Sequence, residues 1–180
     1  MSLFKLRLTS LSTTLADLVT APYSLNLYFA YGSNMNQARM QGREIQWLSV
    51  CAGWIDGFGL RFNKRSAQDA NLGCANLIYA PNEQIQGLLY KLQSESEIDK
   101  LDFFEATPYR YSRELFQVQT ADGVQSAWVY IANPSVIDNK LMPATWYLEH
   151  LLAGREFITE QYYSTIATTT CVSYITDPWD

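Results

Sequence analysis

The nine residues from Leu27 to Met35, LYFAYGSNM, constrain the fold more than any other part of the chain. Their first half is a run of aromatic and aliphatic residues. Such a run is typical of a buried strand and predicts one over Leu25 to Tyr31. The run stops at Gly32, a residue that accepts a positive φ or a close approach of the backbone to a ligand. Polar residues follow, and a short helix is predicted over Met35 to Met40.

The corner after this strand is a candidate anion site. Ser33 and Asn34 are favourable N-cap residues, and the start of a helix leaves several backbone N–H groups without partners. Together with the positive end of the helix dipole, such N–H groups can bind a carboxylate or a developing oxyanion. An ordinary strand-to-helix turn gives the same local pattern, so both interpretations stay open.

A carboxylate at the end of a second helix is the next informative feature. The segment Ser94 to Glu97 has the spacing of a capping box and predicts a helix over Glu95 to Phe104. Ile98 and Leu101 mark its apolar face. At about 100° per residue, Glu105 lies within roughly 20° of Ile98. The spacing therefore directs the Glu105 carboxylate towards the core, and the neighbouring phenylalanines are expected to add apolar bulk nearby.

Burial and the negative end of the helix dipole both disfavour a charged carboxylate at Glu105. A glutamate tuned in this way suits general acid–base work near neutral pH. The alternative is that Glu105 reaches solvent or pairs with Arg110 or Arg113. Asp102, one turn earlier, is expected to have a structural role, bonding to backbone or to an arginine near the rim.

Composition excludes several classes of protein. The chain has 180 residues, of which 48% are hydrophobic and 14% aromatic, so one globular domain is expected. No apolar run approaches the ~20 residues that span a bilayer. The net charge of −5 argues against broad binding to nucleic acid or anionic membranes. The local basic pair Lys64-Arg65 is interpreted as part of a solvated loop.

The cysteines and the single histidine give no metal or triad pattern. Three cysteines without metal-type spacing are expected to be reduced thiols of a cytoplasmic protein. Cys51 and Cys74 lie in strand-like runs and are expected in the core, whereas Cys171 lies near the C-terminus. His150 lies in a predicted helix, and a surface or packing role is favoured over a catalytic one. No metal site is predicted.

Two segments organise the chain: an N-terminal extension over residues 1–24 and a domain over residues 25–180. The extension lacks the apolar core of a secretory signal, although an organelle transit peptide is an alternative interpretation.

Successive strands with interspersed helices, without βαβ alternation, indicate an α+β fold around a small mixed β-barrel with flanking helices. Besides the strand over Leu25 to Tyr31, strands are predicted over Val50–Ile55, Gly59–Asn63, Cys74–Tyr79, Gln86–Leu92, Tyr111–Thr120 and Val124–Ala132. A polar loop is predicted over Phe62–Leu72, and further helices over Ala144–Ala153 and Thr159–Ile166.

Three motifs in order resemble the γ-glutamylcyclotransferase superfamily, which includes the AIG2-like proteins. Tyr31-Gly32-Ser33-Asn34 closely resembles the Tyr-Gly-Ser-Asn motif of that family. Leu101-Asp102-Phe103-Phe104-Glu105 is similar to its Leu-Asp-x-x-Glu segment, and Tyr111-Ser112-Arg113 to the Tyr-x-Arg that follows. The strands Gly73 to Leu77 and Ile85 to Leu92 also resemble family strands. The resemblance extends over about residues 25 to 166.

The resemblance implies a barrel-like fold and a site for a small γ-glutamyl molecule. It implies that Glu105 is the catalytic acid and base, and that the backbone of Tyr31, Gly32 and Ser33 binds an oxyanion or a carboxylate. Asn34 is expected at the substrate site as a helix cap rather than a catalyst. Tyr111 is expected to close the pocket with its hydroxyl, with Tyr109 as the alternative. No metal, nucleotide or other cofactor is implied.

One departure from the family pattern follows the catalytic position. Ala106 stands where the family usually has Gly, and because Ala resists a left-handed turn, the loop after Glu105 is expected to differ. Two other functions fit the same motifs. One is a non-catalytic binding module that keeps the pocket, and the other is an enzyme that removes γ-glutamyl protection in a biosynthetic pathway. The sequence gives no prediction of the leaving amine or the oligomeric state.

Overall fold

The computed structural model describes residues 26–173, so the predicted N-terminal extension lies outside the described residues. Within this range the chain forms five strands and four α-helices. The strands are β1 (Leu27–Ala30), β2 (Trp47–Arg65), β3 (Gly73–Leu92), β4 (Tyr111–Thr120) and β5 (Gly123–Ala132). The helices are α1 (Gln37–Gly42), α2 (Ser96–Glu105), α3 (Thr145–Leu152) and α4 (Glu160–Ala167). Short 3-10 helices occupy Ser33–Met35, Pro134–Val136 and Arg155–Phe157.

The five strands form one closed barrel in the order β1-β3-β2-β4-β5. Neighbouring strands pair antiparallel except at the closure, where Tyr28 of β1 pairs in parallel with Trp128 of β5. Closure leaves no free sheet edge, and apolar side chains from all five strands fill the interior. The predicted α+β fold with a small mixed barrel and flanking helices is confirmed.

The long hairpin of β2 and β3 replaces four shorter predicted strands. The predicted breaks coincide with an irregularity inside two continuous strands, where Asp56 pairs with Gln84 but Phe58 pairs with Tyr79. Gly57 adopts a φ of 79° at this point, as a bulge of this kind favours. The predicted loop over 62–72 is likewise shorter than expected, because β2 continues to Arg65.

The hairpin between β4 and β5 joins the two strands that the sequence predicts over Tyr111–Thr120 and Val124–Ala132. Thr120 pairs with Gly123, so the connection is the two-residue turn at Ala121 and Asp122. Gly123 has a φ of 114°, a value that other residues rarely adopt. This hairpin places Tyr111 at the start of β4 opposite Ala132 at the end of β5.

Two of the predicted helix caps are corrected by the structure. Ser33 and Asn34 form a 3-10 turn, and α1 is capped by Asn36, whose side chain accepts a hydrogen bond from Ala38 N–H (3.0 Å). The predicted capping box is not formed. Glu97 instead accepts a hydrogen bond from Gln46 N–H (3.0 Å), so its carboxylate is not available for the helix start.

Burial corrects two further expectations. Cys51 is exposed rather than in the core, because it lies on the outer face of β2. Phe103 is 82% exposed and adds no apolar bulk around Glu105. Ile98 and Leu101 are buried as predicted, so the helix phase was correct where it mattered for Glu105. Within residues 26–173, none of the helices has the length and apolar character needed to cross a membrane.

Candidate active site

Glu105 is the last residue of α2, and its carboxylate is held by two side chains from the β1–α1 region. Asn34 Nδ2 and Arg43 Nη1 each donate to Glu105 Oε1 at 3.2 Å. Both members of the ion pair are largely shielded, with exposed side-chain fractions of 13% for Arg43 and 16% for Glu105. No side chain among residues 26–173 donates to Oε2. The second oxygen is therefore available to a ligand.

Arg43 connects the parts of this cluster. Its guanidinium also donates to Asn34 Oδ1 at 3.0 Å and lies 4.7 Å from the centre of the Phe104 ring. Asn34 Nδ2 donates in addition to the Tyr28 hydroxyl at 2.8 Å. These contacts fix the carboxylate from one side in a partly buried setting, where charge-assisted hydrogen bonds are strong.

The arginine partner of Glu105 differs from those that the sequence suggested. Arg110 donates to Arg65 O at 2.9 Å, and Arg113 pairs with Asp102 Oδ2 at 2.9 Å. Asp102 also accepts from the Tyr130 hydroxyl at 2.7 Å, so it has the structural role that was expected. Sequence spacing could not identify Arg43, because it lies 62 residues before Glu105 in the chain.

The corner after β1 has the open N–H groups that the local pattern suggested. The N–H groups of Gly32 and Ser33 donate no hydrogen bond to residues 26–173 outside the regular strands and helices. The carbonyl group of Gly32 accepts a hydrogen bond from Met35 N–H (2.9 Å), and that of Ser33 accepts one from Asn36 N–H (3.2 Å). Gly32 has a φ of −119°, so the glycine is not needed for a positive φ.

Close packing explains the glycine at this position. A Cβ at Gly32 would lie 3.0 Å from Ala75 Cβ and 3.3 Å from the Tyr147 hydroxyl oxygen. Contacts of this length are tighter than side chains normally make, so a larger residue would push against the opposite wall. Asn34, predicted as a helix cap, is instead buried and bonded to Glu105 and Arg43.

Glu105 and the corner line one small inner cavity of ≈ 30 Å³, together with tyrosines from several elements. The tyrosines are Tyr28, Tyr31, Tyr111, Tyr130 and Tyr147. Burial is the main cause that raises the pKa of each of these hydroxyls above the usual tyrosine value. The hydroxyls therefore remain protonated at neutral pH, and Glu105 is the one carboxylate that residues 26–173 place in the wall of this cavity.

Tyr111 lines the cavity from the start of β4. Its hydroxyl donates to Ala75 O at 2.7 Å, which holds the ring in the wall. Tyr109, the alternative, is 82% exposed and does not line the inner cavity. Tyr31 contributes its ring to the wall and donates its hydroxyl to Tyr130 O.

An outer chamber of ≈ 120 Å³ adjoins the inner cavity. The two share four residues in their walls: Ser33, Glu105, Tyr111 and Tyr147. Lys64 and Arg110 also line the outer chamber. The interpretation of Lys64 as part of a solvated loop is wrong, because this side chain is buried in β2.

His150 and the cysteines lie outside the inner cavity. His150 contacts Asn36 and Arg39 through its two ring nitrogens, at 3.0 Å and 3.3 Å, and packs edge-on to Trp146. Cys74 borders the outer chamber, and burial raises the pKa of its thiol. No cluster of three or more His, Cys, Asp or Glu side chains suited to a metal ion occurs in residues 26–173.

The family of the chain follows from its match to a known sequence model. A model described as gamma-glutamyl cyclotransferase, AIG2-like, matches residues 28–149. The chain belongs to this family. The matched segment includes the corner at Gly32, Arg43 and Glu105, so the cluster described above lies within the matched residues. The resemblance inferred from the sequence motifs is confirmed.

Solved structures share the fold of this gamma-glutamyl cyclotransferase-like chain. One, a gamma-glutamyl cyclotransferase, has a TM-score of 0.71 at 20% identity over 84% of this chain and 91% of its own. An uncharacterised Homo sapiens protein has a TM-score of 0.72 at 22% identity with the same coverage, 84% and 91%. A yeast cyclotransferase described as specific to glutathione reaches 0.54 at 16% identity, covering 78% of this chain and 95% of its own. None of the curated proteins matches the chain significantly.

The residue after Glu105 retains a left-handed backbone despite the substitution from the family's usual glycine. Ala106 has φ 52° and ψ 45°, and its N–H donates to Asp102 O and Phe103 O. Thr107 N–H also donates to Asp102 O, at 3.0 Å. Alanine therefore does not prevent a left-handed turn at this position, although glycine would adopt it more easily. The expectation that the loop after Glu105 differs from that of the family stays a prediction.

Proposed function

We propose that this protein is a γ-glutamylcyclotransferase-type enzyme acting on a small γ-glutamyl amine or peptide by intramolecular aminolysis. The α-amine of the substrate attacks its own γ-carbonyl carbon, and the new C–N bond closes the ring of 5-oxoproline. The C–N bond to the leaving amine then breaks. Because the nucleophile is tethered to the carbonyl, its effective concentration is already high, and few catalytic groups are needed.

The observation that carries the proposal is the shared cavity of Glu105 and the Gly32 corner. An ammonium group has no lone pair, so a base must remove a proton before attack. Glu105 is the one carboxylate of the described residues in the cavity wall, and the surrounding tyrosine hydroxyls stay protonated. Between the ammonium and the lactam N–H the α-nitrogen loses two protons, one before attack and one from the tetrahedral adduct. Glu105 takes each in turn and passes it to the leaving nitrogen, which departs as an amine after the first and becomes an ammonium with the second, so protons and bonds balance over the reaction.

Backbone N–H groups of Tyr31, Gly32 and Ser33 supply the second requirement. Attack on the γ-carbonyl converts its oxygen into an oxyanion, and N–H donors fixed at that position stabilise it. The same donors suit the α-carboxylate of the substrate. The absence of protein acceptors for Gly32 and Ser33 N–H in residues 26–173 supports this assignment.

Asn34 and Arg43 act as positioning residues in this scheme. Both donate to Oε1 of Glu105, which leaves Oε2 as the atom that moves the proton. Tyr111 contributes its ring to the substrate pocket, since its hydroxyl is already bonded to Ala75 O. A fixed carboxylate matters because proton transfer requires a heavy-atom distance of about 2.6–3.2 Å.

The test is a screen of γ-glutamyl dipeptides and γ-glutamylamines for release of 5-oxoproline and a stoichiometric free amine. Purified Glu105→Gln protein serves as the control for contaminating activity. Release by wild-type protein that is lost in Glu105→Gln supports the proposal. If compounds bind in the pocket but none is turned over, the non-catalytic binding module replaces the enzyme as the function.

The corner itself is tested by Gly32→Val. Added methyl groups would press on Ala75 and Tyr147 and cover the N–H groups, so the dissociation constant for 5-oxoproline should rise by about tenfold or more. Gly42→Ala is the matched control, because a Cβ at Gly42 meets nothing within 4 Å. Unchanged affinity in a folded Gly32→Val variant would remove the corner from the binding site.

A further inference from the structure

Lys64 reaches the active-site region because of an irregularity in β2. Between Arg61 and Lys64 the strand advances three residues, while its partner β3 advances two, from Asn76 to Cys74. This extra residue is a bulge, and a bulge interrupts the alternation of side chains between the two faces. As a result the consecutive residues Asn63 and Lys64 are both buried.

The chain is built to accommodate this bulge. Gly73 lies opposite Arg65 at the start of β3, and a Cβ there would collide with Phe62 O. Lys64 also forms a bridge with Ile137, which fixes its backbone from the other side. The inward direction of Lys64 is therefore a property of the sheet and not of a mobile surface side chain.

The Lys64 ammonium group has an unusual environment for a lysine. The residue is only 6% exposed, and Nζ lies 4.7 Å from the centre of the Tyr111 ring, which itself lines both parts of the pocket. Among residues 26–173 no carboxylate lies within ion-pairing distance of Lys64. Buried charges are normally paired, because desolvation without a counter-charge is costly.

The groups that face Lys64 leave this charge uncompensated. Burial lowers its pKa from the usual lysine value, and Arg110 lowers it further, whereas Glu105 and Cys74 oppose the shift. Glu105 is itself bonded to Arg43, and the pKa of the Cys74 thiol is raised mainly by burial. An anionic ligand in the outer chamber would supply the counter-charge that the protein does not.

The outer chamber as a whole is cationic within an acidic protein. Within the described part of the chain, four cationic side chains line it, Arg39, Arg43, Lys64 and Arg110, against the single carboxylate of Glu105. The net charge of the chain is −5, so this concentration of positive charge is local to the chamber. A cleft lined by one sign of charge favours ligands of the opposite sign.

We propose that Lys64 is a specificity-determining residue whose ammonium group binds an anionic group, such as a carboxylate, on the leaving amine of the substrate. The inference rests on the proposed function and extends it to the substrate class. The glutamyl part lies against Glu105 and the Gly32 corner, and the leaving amine extends into the outer chamber, whose wall also includes Glu105. Substrates with a negative charge on the amine side are therefore preferred over neutral ones of the same shape.

The test compares γ-glutamylglycine with γ-glutamylglycinamide, which differ only in a carboxylate against a neutral amide. Wild-type protein should prefer the carboxylate compound by about tenfold in kcat/KM, the effect of one modest partly buried ion pair. Lys64→Met should abolish this preference by raising KM for γ-glutamylglycine, with little change for the amide. Lys64→Arg should restore part of the preference.

Lys91→Met is the matched control, because Lys91 is an exposed lysine on β3 and its loss changes the net charge equally. Dissociation constants of both compounds, measured by calorimetry, accompany the kinetics. If neither compound is turned over, the binding preference measured by calorimetry decides the role of Lys64, and the screen of γ-glutamyl compounds separately decides the proposed function. If the amide is turned over but wild-type protein shows no preference, the role of Lys64 fails while the proposed function stands.

Two further outcomes would overturn the proposal. An equal loss of kcat/KM for both compounds in Lys64→Met would show that the lysine contacts the glutamyl part. A loss of kcat/KM in Lys91→Met as large as in Lys64→Met would show a general charge effect. Binding of neither compound would equally exclude the role. If Lys64→Met does not fold, Lys64→Gln takes its place, and the wild-type preference remains a test that needs no variant.

Discussion

Asp102 and Glu105 lie one turn apart on α2, and each pairs with one arginine, yet their two oxygens are used differently. Asp102 has both oxygens engaged, one by the Tyr130 hydroxyl at 2.7 Å and the other by Arg113 at 2.9 Å. Glu105 accepts both of its hydrogen bonds on Oε1, from Asn34 and Arg43. One carboxylate is thus saturated by the protein, whereas the other keeps an oxygen for a ligand.

This difference separates a structural acid from a candidate catalytic one more clearly than burial does. Side-chain exposure is similar at the two positions, 25% for Asp102 and 16% for Glu105. Residues three apart on a helix are neighbours on one surface, so helical phase alone does not distinguish them either. The partners supplied by other elements decide which acid can take part in proton transfer.

The largest expected effect is the loss of turnover when Glu105 is replaced, and Asp102 is the matched comparison. Glu105→Gln keeps the shape of the side chain and one acceptor oxygen but removes its basicity, so kcat should fall by about 10² or more. Asp102→Asn should leave kcat within about threefold of wild type. Steady-state release of 5-oxoproline measures both, and near wild-type turnover in Glu105→Gln would end the assignment.

Stability provides the complementary readout for the same pair. Asp102→Asn weakens a charge-assisted contact with Arg113, so the free energy of unfolding should fall by about 1–3 kcal/mol in urea titrations. A variant with normal stability and lost activity would place Asp102 in the chemistry and reverse the comparison.

Arg43, the partner of Glu105, and Arg113, the partner of Asp102, should also differ in their effect on kcat, although by less than the two acids do. Arg43→Met removes the donor that orients Glu105, and kcat should fall by about tenfold with KM little changed, because positioning acts on the transition state. Arg43→Lys should restore part of the rate. Arg113→Met is the matched control and should change kcat less than threefold. Equal losses of kcat in both variants would mean that general destabilisation, rather than orientation, explains the result.

The smallest effect is expected at the turn that follows Glu105. Ala106 holds a φ of 52°, which glycine adopts without steric cost, so Ala106→Gly should raise the free energy of unfolding by about 0.5–1 kcal/mol. Ala153→Gly is the control, because Ala153 caps α3 with ordinary right-handed angles. This substitution should lower the free energy of unfolding by a similar amount. Opposite signs in thermal or chemical unfolding are the expected result, and destabilisation by both would contradict the strain at Ala106.

Much of the site could be predicted from the sequence where the relevant signal is local. The strand before Gly32, the helix that ends at Glu105 and the β4–β5 hairpin each depend on short-range periodicity or turn chemistry. The division of β2 and β3 into shorter strands was wrong, because an Asp-Gly step and a proline-containing stretch also mark turns when they occur inside a bulged hairpin. The predicted capping box was also wrong because of a distant residue. The backbone N–H of Gln46 donates a hydrogen bond to the Glu97 carboxylate, which a local pattern does not reveal.

The sequence by itself determined the family, the barrel and the direction of Glu105, because motif order and helical phase are properties of neighbouring residues. The tertiary structure alone decided that Arg43 rather than Arg110 or Arg113 pairs with Glu105, and that Asn34 bonds to the carboxylate instead of capping a helix. It also decided that Lys64 lies inside the chamber, because one extra residue in β2 changes which face a side chain occupies. Such choices depend on contacts between residues tens of positions apart, for which local patterns carry no signal.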